Sequence, residues 1–217
     1  GIKGIGVIHQ VTPEHLKNDL LSQRLLRPDY KVHPPHKQNI YMPITYIEPT
    51  NVNAKAVGLD MAHENNRFTA ALKARDTGTA QITAPIVLVQ DNTKTPGFLC
   101  YVPYYARGEN KTLEDRQKNF LGMVYAPFVF HKLMQGALNK EKREVSIRVL
   151  DKTNVLYNEN KSSEKDYDPN PMFAKTLNLD LYGRSWSFDI QTTNSFRTAH
   201  TSSQPMMILL GGSLIDN

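Results

Sequence analysis

Apolar and polar positions along this chain alternate in short blocks with strand spacing, interrupted by three stretches with helical spacing. Gly4–Val11 (GIGVIHQV) is rich in β-branched residues and predicts a strand. Thr12-Pro13-Glu14 then supplies a capping hydroxyl, a proline at the first helical position and an early acid. Leu16, Leu20, Leu21 and Leu25 follow as one apolar face of a helix running to about Leu26. Residues 28–39 read as a loop, Ile40–Ile47 as a second strand and residues 50–56 as a polar loop. Glu64–Thr77 is the clearest helix, closed by Gly78, with Arg67, Ala70, Ala71 and Ala74 on one stripe where small side chains would let the backbone lie close to a sheet. Ala80–Gln90 and Gly97–Tyr105 predict two strands joined by a hairpin loop at Asn92–Pro96. A polar excursion, Arg107–Asn119, precedes a strand at Phe120–Phe128 and a helix at Val129–Asn139.

The remaining chain is β-rich. Val145, Ile147 and Val149 alternate with polar partners, and so do Leu177, Leu179 and Leu181. After a turn at Tyr182-Gly183, Trp186, Phe188 and Ile190 repeat the pattern, which predicts an antiparallel hairpin with one wet face. Asn158–Asn170 is polar and reads as a mobile loop. Late strands that come in hairpins without crossover helices indicate an α+β fold with two sheet-centred lobes, not a doubly wound one.

Composition narrows the class. A chain of 217 residues with 40% hydrophobic content, 22% charged residues and a net charge of +5 is an ordinary globular chain, not a disordered one. A single cysteine, Cys100, leaves no internal disulfide and no zinc–cysteine cluster, and its place in an apolar strand predicts an inert core thiol. The basic residues are scattered. Their densest cluster, Lys140-Glu141-Lys142-Arg143-Glu144, is mixed in sign and reads as a solvated helix end, so no nucleic-acid partner is expected. The chain starts at Gly1 instead of Met, which points to a processed or excised segment, and no signal peptide is visible. No run of about 20 apolar residues is present. Pro205–Ile215 is apolar, however, and reads either as a buried terminal element or as the leading edge of a transmembrane helix.

Motifs for catalysis do not assemble. Seven histidines are dispersed, and His33-Pro-Pro-His36 sits in a loop without fixed ligand geometry. His63-Glu64 lacks the second histidine of a zincin helix, and no nucleophile elbow or P-loop occurs. The Gly1–Gly6 glycine string has no strand before it and reads as coincidental, and Glu114-Asp115 reads as solvated. Two features could serve recognition. Tyr46, Phe98, Tyr101, Tyr104, Tyr105 and Tyr125 suit either a core or a small-molecule pocket. Arg67, near the start of its helix, is either a solvent-facing charge or, with free helix-end N–H groups beside it, an anion anchor.

An ordered set of blocks carries a resemblance. These are Tyr41-Met-Pro-Ile-Thr-Tyr-Ile-Glu-Pro49, Gly58-Leu-Asp-Met61, Ala71-Leu-Lys-Ala-Arg-Asp-Thr-Gly78, Ile82-Thr-Ala-Pro85, Gly97-Phe-Leu-Cys-Tyr-Val-Pro-Tyr104 and Leu121-Gly-Met-Val-Tyr-Ala-Pro-Phe128. The set resembles the CHASE domain, the extracytoplasmic sensor of bacterial receptor histidine kinases and diguanylate cyclases and of plant cytokinin receptors, over roughly residues 2–135. The resemblance implies two PAS-like α/β lobes, a membrane-distal one over residues 1–128 and a membrane-proximal one over 129–204. It also implies a ligand pocket in the distal lobe, flanking membrane helices, a homodimer, and an output domain outside this chain. It assigns 205–217 to the start of a transmembrane helix and places the chain in the periplasmic part of an inner-membrane protein.

Where plant receptors hold an adenine-binding Asp, the alignment puts Arg67; where they keep a small Gly, it puts Tyr125. Thr83 matches the pocket threonine of the Thr-x-Pro motif. Arginine cannot accept the hydrogen bonds that the Asp accepts, so the expected ligand is a carboxylate or other small anion. The expected site is Arg67 as anchor, Asp60 as a second polar group, and Thr83, Tyr101, Tyr125 and Tyr46 as walls, with no catalytic residue, metal or cofactor. Two rivals make different demands. A periplasmic hydrolase needs a cleft with His and carboxylate groups within hydrogen-bond reach, and a ligand-free interaction domain needs a distal lobe packed solid.

Overall fold

The computed structural model describes residues 1–88, 95–138 and 143–201. The apolar run at 205–215, most of the expected hairpin loop at 92–96, and residues 140–142 of the mixed-charge cluster lie outside the described residues. The elements in chain order are β1 (Ile5–His9), α1 (Leu16–Leu26), β2 (Ile44–Glu48), α2 (Thr50–Asn53), α3 (Asn65–Thr77), β3 (Gln81–Ile82), β4 (Ile86–Val87), β5 (Pro96–Tyr105), α4 (Leu113–Asn119), β6 (Phe120–Val129), α5 (Phe130–Ala137), β7 (Val145–Asp151), β8 (Asn154–Asn158), β9 (Ala174–Leu181), β10 (Arg184–Thr192) and α6 (Asn194–His200). The strands form two antiparallel sheets, ordered β2-β1-β6-β5-β3 with β4 also on β5, and β8-β7-β10-β9. The architecture is the α+β, two-sheet arrangement that the alternation implies.

The period-two pattern of the first sheet divides its work between two faces. Leu99, Tyr101, Met123, Tyr125 and Val129 face a core completed by α3 and by Ile8, Met42, Ile44, Ile47 and Met61. Ile82, Phe98 and Phe128 point the other way, into a second core with Phe130, Ile147, Val149 and Trp186. The rings of Phe98 and Phe128 stack with centroids 4.9 Å apart, and Trp186 meets Phe98 edge-on at 5.5 Å. One sheet is thus the shared wall between α3 and the second sheet. At its edge, the β9–β10 turn docks on the first sheet: the Ile82 N–H donates to Tyr182 O at 3.0 Å and Lys73 Nζ to Gly183 O at 3.4 Å. Both turn residues have positive φ (45° and 82°), which suits glycine at the second position.

Several expectations change. α1 starts at Leu16 instead of Thr12, and its leucine face is not buried: Leu25 and Leu26 are each 85% exposed, because no sheet lies beneath that face. The expected Ala80–Gln90 strand is two short pieces. Pro85 brings no N–H, and the Asn66 side chain takes over the Ala84 backbone, donating to its O and accepting from its N–H at 3.2 and 2.9 Å. The loop at 50–56 is α2 followed by a 3₁₀ turn, Ala54–Ala56. The polar excursion contains α4, held by a Thr112–Asp115 capping box, so Asp115 is committed to the backbone instead of being merely solvated.

The segment expected to be mobile, Asn158–Asn170, is pinned by two buried carboxylates. Glu159 pairs with Arg143 at 2.6 Å and accepts from Tyr157 and the Ile147 N–H, and Asp168 pairs with Arg197 at 2.9 Å. Arg143 is therefore the partly buried ion-pair partner of a buried carboxylate and not part of a solvated helix end. Strand β8 and helix α6, capped by Thr193, are elements that the hydrophobic pattern does not announce.

Candidate functional site

Helix α3 is built from its ends. The Glu64 carboxylate accepts from the N–H groups of Asn66 and Arg67 at 2.7 and 3.2 Å, and Gly78 closes the helix at φ 70°. The helix-end N–H groups expected to help an anion are therefore occupied, and recognition falls to the Arg67 side chain. The buried residues of α3 are Arg67, Ala70, Ala71 and Ala74, the stripe read from the sequence. The alanines bring the helix against the sheet, and Arg67 is carried down with them to 8% exposure.

There the guanidinium is poorly matched. Its Nη2 donates to Val87 O at 3.4 Å, Nε has no partner, and none of the ion pairs among the described residues includes Arg67. Beneath it stand two tyrosines set directly opposite each other on β5 and β6, Tyr101 and Tyr125, exposed by 0% and 1%. Neither hydroxyl has a hydrogen-bond partner. Burial pushes both phenols far above their ordinary value, so both keep their protons and can donate. The Tyr125 ring fits because β1 has no side chain in its path: a Cβ on Gly6 would lie 2.4 Å from Tyr125 Cε1. Gly6 belongs to the string read as coincidental; an isolated glycine inside a β-branched strand was the available signal of this close approach.

Arg67 and Tyr125 share a small cavity with Ile44, Leu59, Met61, Leu88 and Leu99. Its volume is about 10 Å³, room for one water. As it stands the core under α3 is nearly solid, as the ligand-free interaction domain requires, and any larger occupant must move a wall.

The other expected site residues lie elsewhere. Asp60 is completely buried, but its Oδ1 accepts from Met42 N–H and Ala62 N–H, both at 2.8 Å, and its Oδ2 meets His36 Nε2 at 2.9 Å. It ties the 33–43 loop to the segment before α3 and has no oxygen left for a ligand. Tyr46 stands in register with Val7, which pairs with Val124, on the sheet face opposite Tyr125; it is 51% exposed and bonds Glu48. A one-residue difference in strand register accounts for this, since neighbouring strand residues point to opposite faces. Thr83 is buried, and its hydroxyl oxygen accepts from Leu99 N–H at 3.1 Å, which locks the strand edge beside the cavity wall.

Other chemistry is sparse. Among the described residues no group of three or more potential metal ligands gathers, and the one close His–carboxylate contact is His36 with Asp60. Burial raises the Cys100 thiol, in keeping with an unreactive core position. A larger hollow of about 980 Å³ lies beside α5 and β8, but its polar floor residue Glu159 is already spent on Arg143, Tyr157 and Ile147.

The CHASE domain family matches residues 1–161, which contain α3, the facing tyrosines and the cavity. The chain belongs to the CHASE family. It is accordingly an extracytoplasmic sensor domain. No curated protein matches it. Among solved structures, the ligand binding domain of Mlp24 with asparagine is similar at 12% identity and a TM-score of 0.35, covering 91% of this chain and 71% of that one. Within this CHASE domain, no helix among the described residues is long and apolar enough to cross a membrane.

Proposed function

We propose that this CHASE domain is the ligand-reading part of a receptor in the inner membrane, and that it takes a small anionic molecule in the cavity beneath α3. Arg67 carries the reading: a buried residue whose guanidinium has no ion-pair partner among the described residues, lining one cavity with Tyr125, whose hydroxyl has no partner either. A buried cation without a counter-charge is costly, and an anionic ligand removes that cost by supplying the missing acceptors. In this reading residues 1–128 form the membrane-distal lobe, 129–204 the membrane-proximal lobe, and 205–217 enter the membrane. The receptor is a homodimer, and a diguanylate cyclase or histidine kinase lies elsewhere in the full-length protein.

Transmission would run through α3, which bears Arg67 in its first turn and Lys73 against the β9–β10 turn. Ligand can shift such an equilibrium only by binding one arrangement better than the other, and satisfying Arg67 provides that difference. The experiment is a thermal-shift and calorimetric panel of small carboxylates on the chain and on Arg67→Ala. Carboxylate binding that Arg67→Ala removes supports the reading. Tight binding of an adenine cytokinin that Arg67→Ala leaves unchanged refutes it.

A further inference from the structure

Among the described residues, each unpartnered polar group at the cavity or on the strand beside it can donate a hydrogen bond. The guanidinium of Arg67 can only donate, and Tyr101 and Tyr125 are phenols with no acceptor for their protons. The acids that could receive a positive group are already used: both oxygens of Glu64 hold the α3 N-terminus, and both oxygens of Asp60 hold Met42, Ala62 and His36. The rest of the wall, Ile44, Leu59, Met61, Leu88 and Leu99, offers hydrocarbon alone. An ammonium placed here would be desolvated, would face Arg67 as a like charge and would find no uncommitted carboxylate among the described residues.

We propose, resting on the anion-sensing reading above, that the molecule read by this cavity is a short aliphatic monocarboxylate without an amino group. Its carboxylate would accept from Arg67 and from the tyrosine hydroxyls, and its alkyl end would lie against Leu88, Leu99 and Met61. A cavity of about 10 Å³ must widen to take it. The wall closest to release is β4, which has only two register pairs with β5, Ile86 with Gly97 and Val87 with Pro96. Pro96 has no N–H to hold the Val87 carbonyl, and among the described residues that carbonyl receives the long 3.4 Å contact from Arg67. A carboxylate that captured Arg67 would take this donor away and free the Val87–Leu88 segment to move outward. Each methylene the widened wall covers tightens binding by about fourfold, so affinity rises from acetate through butyrate.

The test is calorimetry of the chain with acetate, propionate, butyrate, alanine, succinate and propionamide. The expected result is propionate and butyrate binding, with alanine and propionamide at least about tenfold weaker. Arg67→Gln should abolish it, and Tyr101→Phe and Tyr125→Phe should each weaken it about tenfold, with circular dichroism unchanged. Alanine binding as tightly as propionate, or succinate binding more tightly, overturns the monocarboxylate assignment and leaves the anion-sensing reading standing. Failure of all the anions overturns both. Propionate binding that survives Arg67→Gln overturns the site. If Arg67→Gln does not fold, methyl nuclear Overhauser effects between propionate and Leu88 or Leu99 in the unaltered chain answer the same question, and their absence overturns the placement.

Discussion

Replacing Arg67 by methionine should stabilise the empty domain while removing its ligand response. Arg67 is 8% exposed, and among the described residues its guanidinium has one long hydrogen bond and no ion-pair partner. Withdrawing an ion from water carries an effective penalty of several kcal/mol, against which one charge-assisted hydrogen bond of good geometry returns about 1.5–3 kcal/mol, and the 3.4 Å contact to Val87 O returns less. Methionine keeps the length of the side chain and packs against Leu88 and Leu99 without that penalty. The expected gain is about 1–4 kcal/mol, by analogy with hydrophobic replacement of buried ionic groups. For a chain of this size each kcal/mol moves Tm by about 2–4 °C, so a gain of 2 kcal/mol appears as about 4–8 °C. Urea titration with an unchanged m-value is the assay, backed by a thermal scan in anion-free buffer. A loss of more than about 1 kcal/mol would refute the reasoning, because it would make Arg67 a structural residue whose partners outweigh its desolvation. A gain accompanied by lost carboxylate binding is the pattern of a residue kept for function at the expense of stability.

Asp60→Ala should destabilise the domain by about 2–5 kcal/mol in denaturant titration, since it orphans two buried N–H groups and His36; a loss under 1 kcal/mol would show that the loop does not depend on it. Gly6→Ala should destabilise by more than about 2 kcal/mol, because its Cβ would meet Tyr125 Cε1 and Tyr46 O, each at 2.4 Å. Tyr46→Ala should leave carboxylate binding unchanged and alter stability by less than about 1 kcal/mol, since Tyr46 is half exposed on the far side of the sheet. Burial raises the Glu159 carboxyl, but hydrogen bonds from Arg143, Tyr157 and Ile147, with the charge of Arg143, outweigh it and hold the group below its ordinary 4.5. A depressed carboxylate contributes stability above its unfolded value and loses it as pH falls through the folded one. Glu159→Gln should therefore lower Tm at neutral pH and show a shallower further decline than the parent between about pH 5 and pH 3; parallel curves would remove Glu159 from the acid response.

Periodicity and end signals in the sequence determine much of this protein. The apolar, aromatic runs Gly97–Tyr105 and Phe120–Phe128 determine two strands, and the Arg67/Ala70/Ala71/Ala74 stripe determines which side of α3 is buried. Ordered blocks from Tyr41 to Phe128 are enough to indicate the CHASE family, and the alignment that they anchor nominates Arg67, Thr83, Tyr101, Tyr125, Asp60 and Tyr46, of which Arg67 and Tyr125 line one cavity. What the tertiary structure decides is what each polar group does. Asp60 and Tyr46 look as suitable for a ligand as Arg67 when read as residue types. Asp60 is used up by its neighbour Ala62 N–H and by Met42 N–H and His36, which arrive from another segment, and Tyr46 is turned away by strand register. The leucines of α1 show the same limit: their spacing specifies an apolar face, and only the placement of the sheets determines that nothing covers it. Local pattern is a property of neighbouring residues and survives in the sequence, whereas the satisfaction of a buried charge depends on partners distant in the chain, and for the Arg67 guanidinium the described residues supply no ion-pair partner.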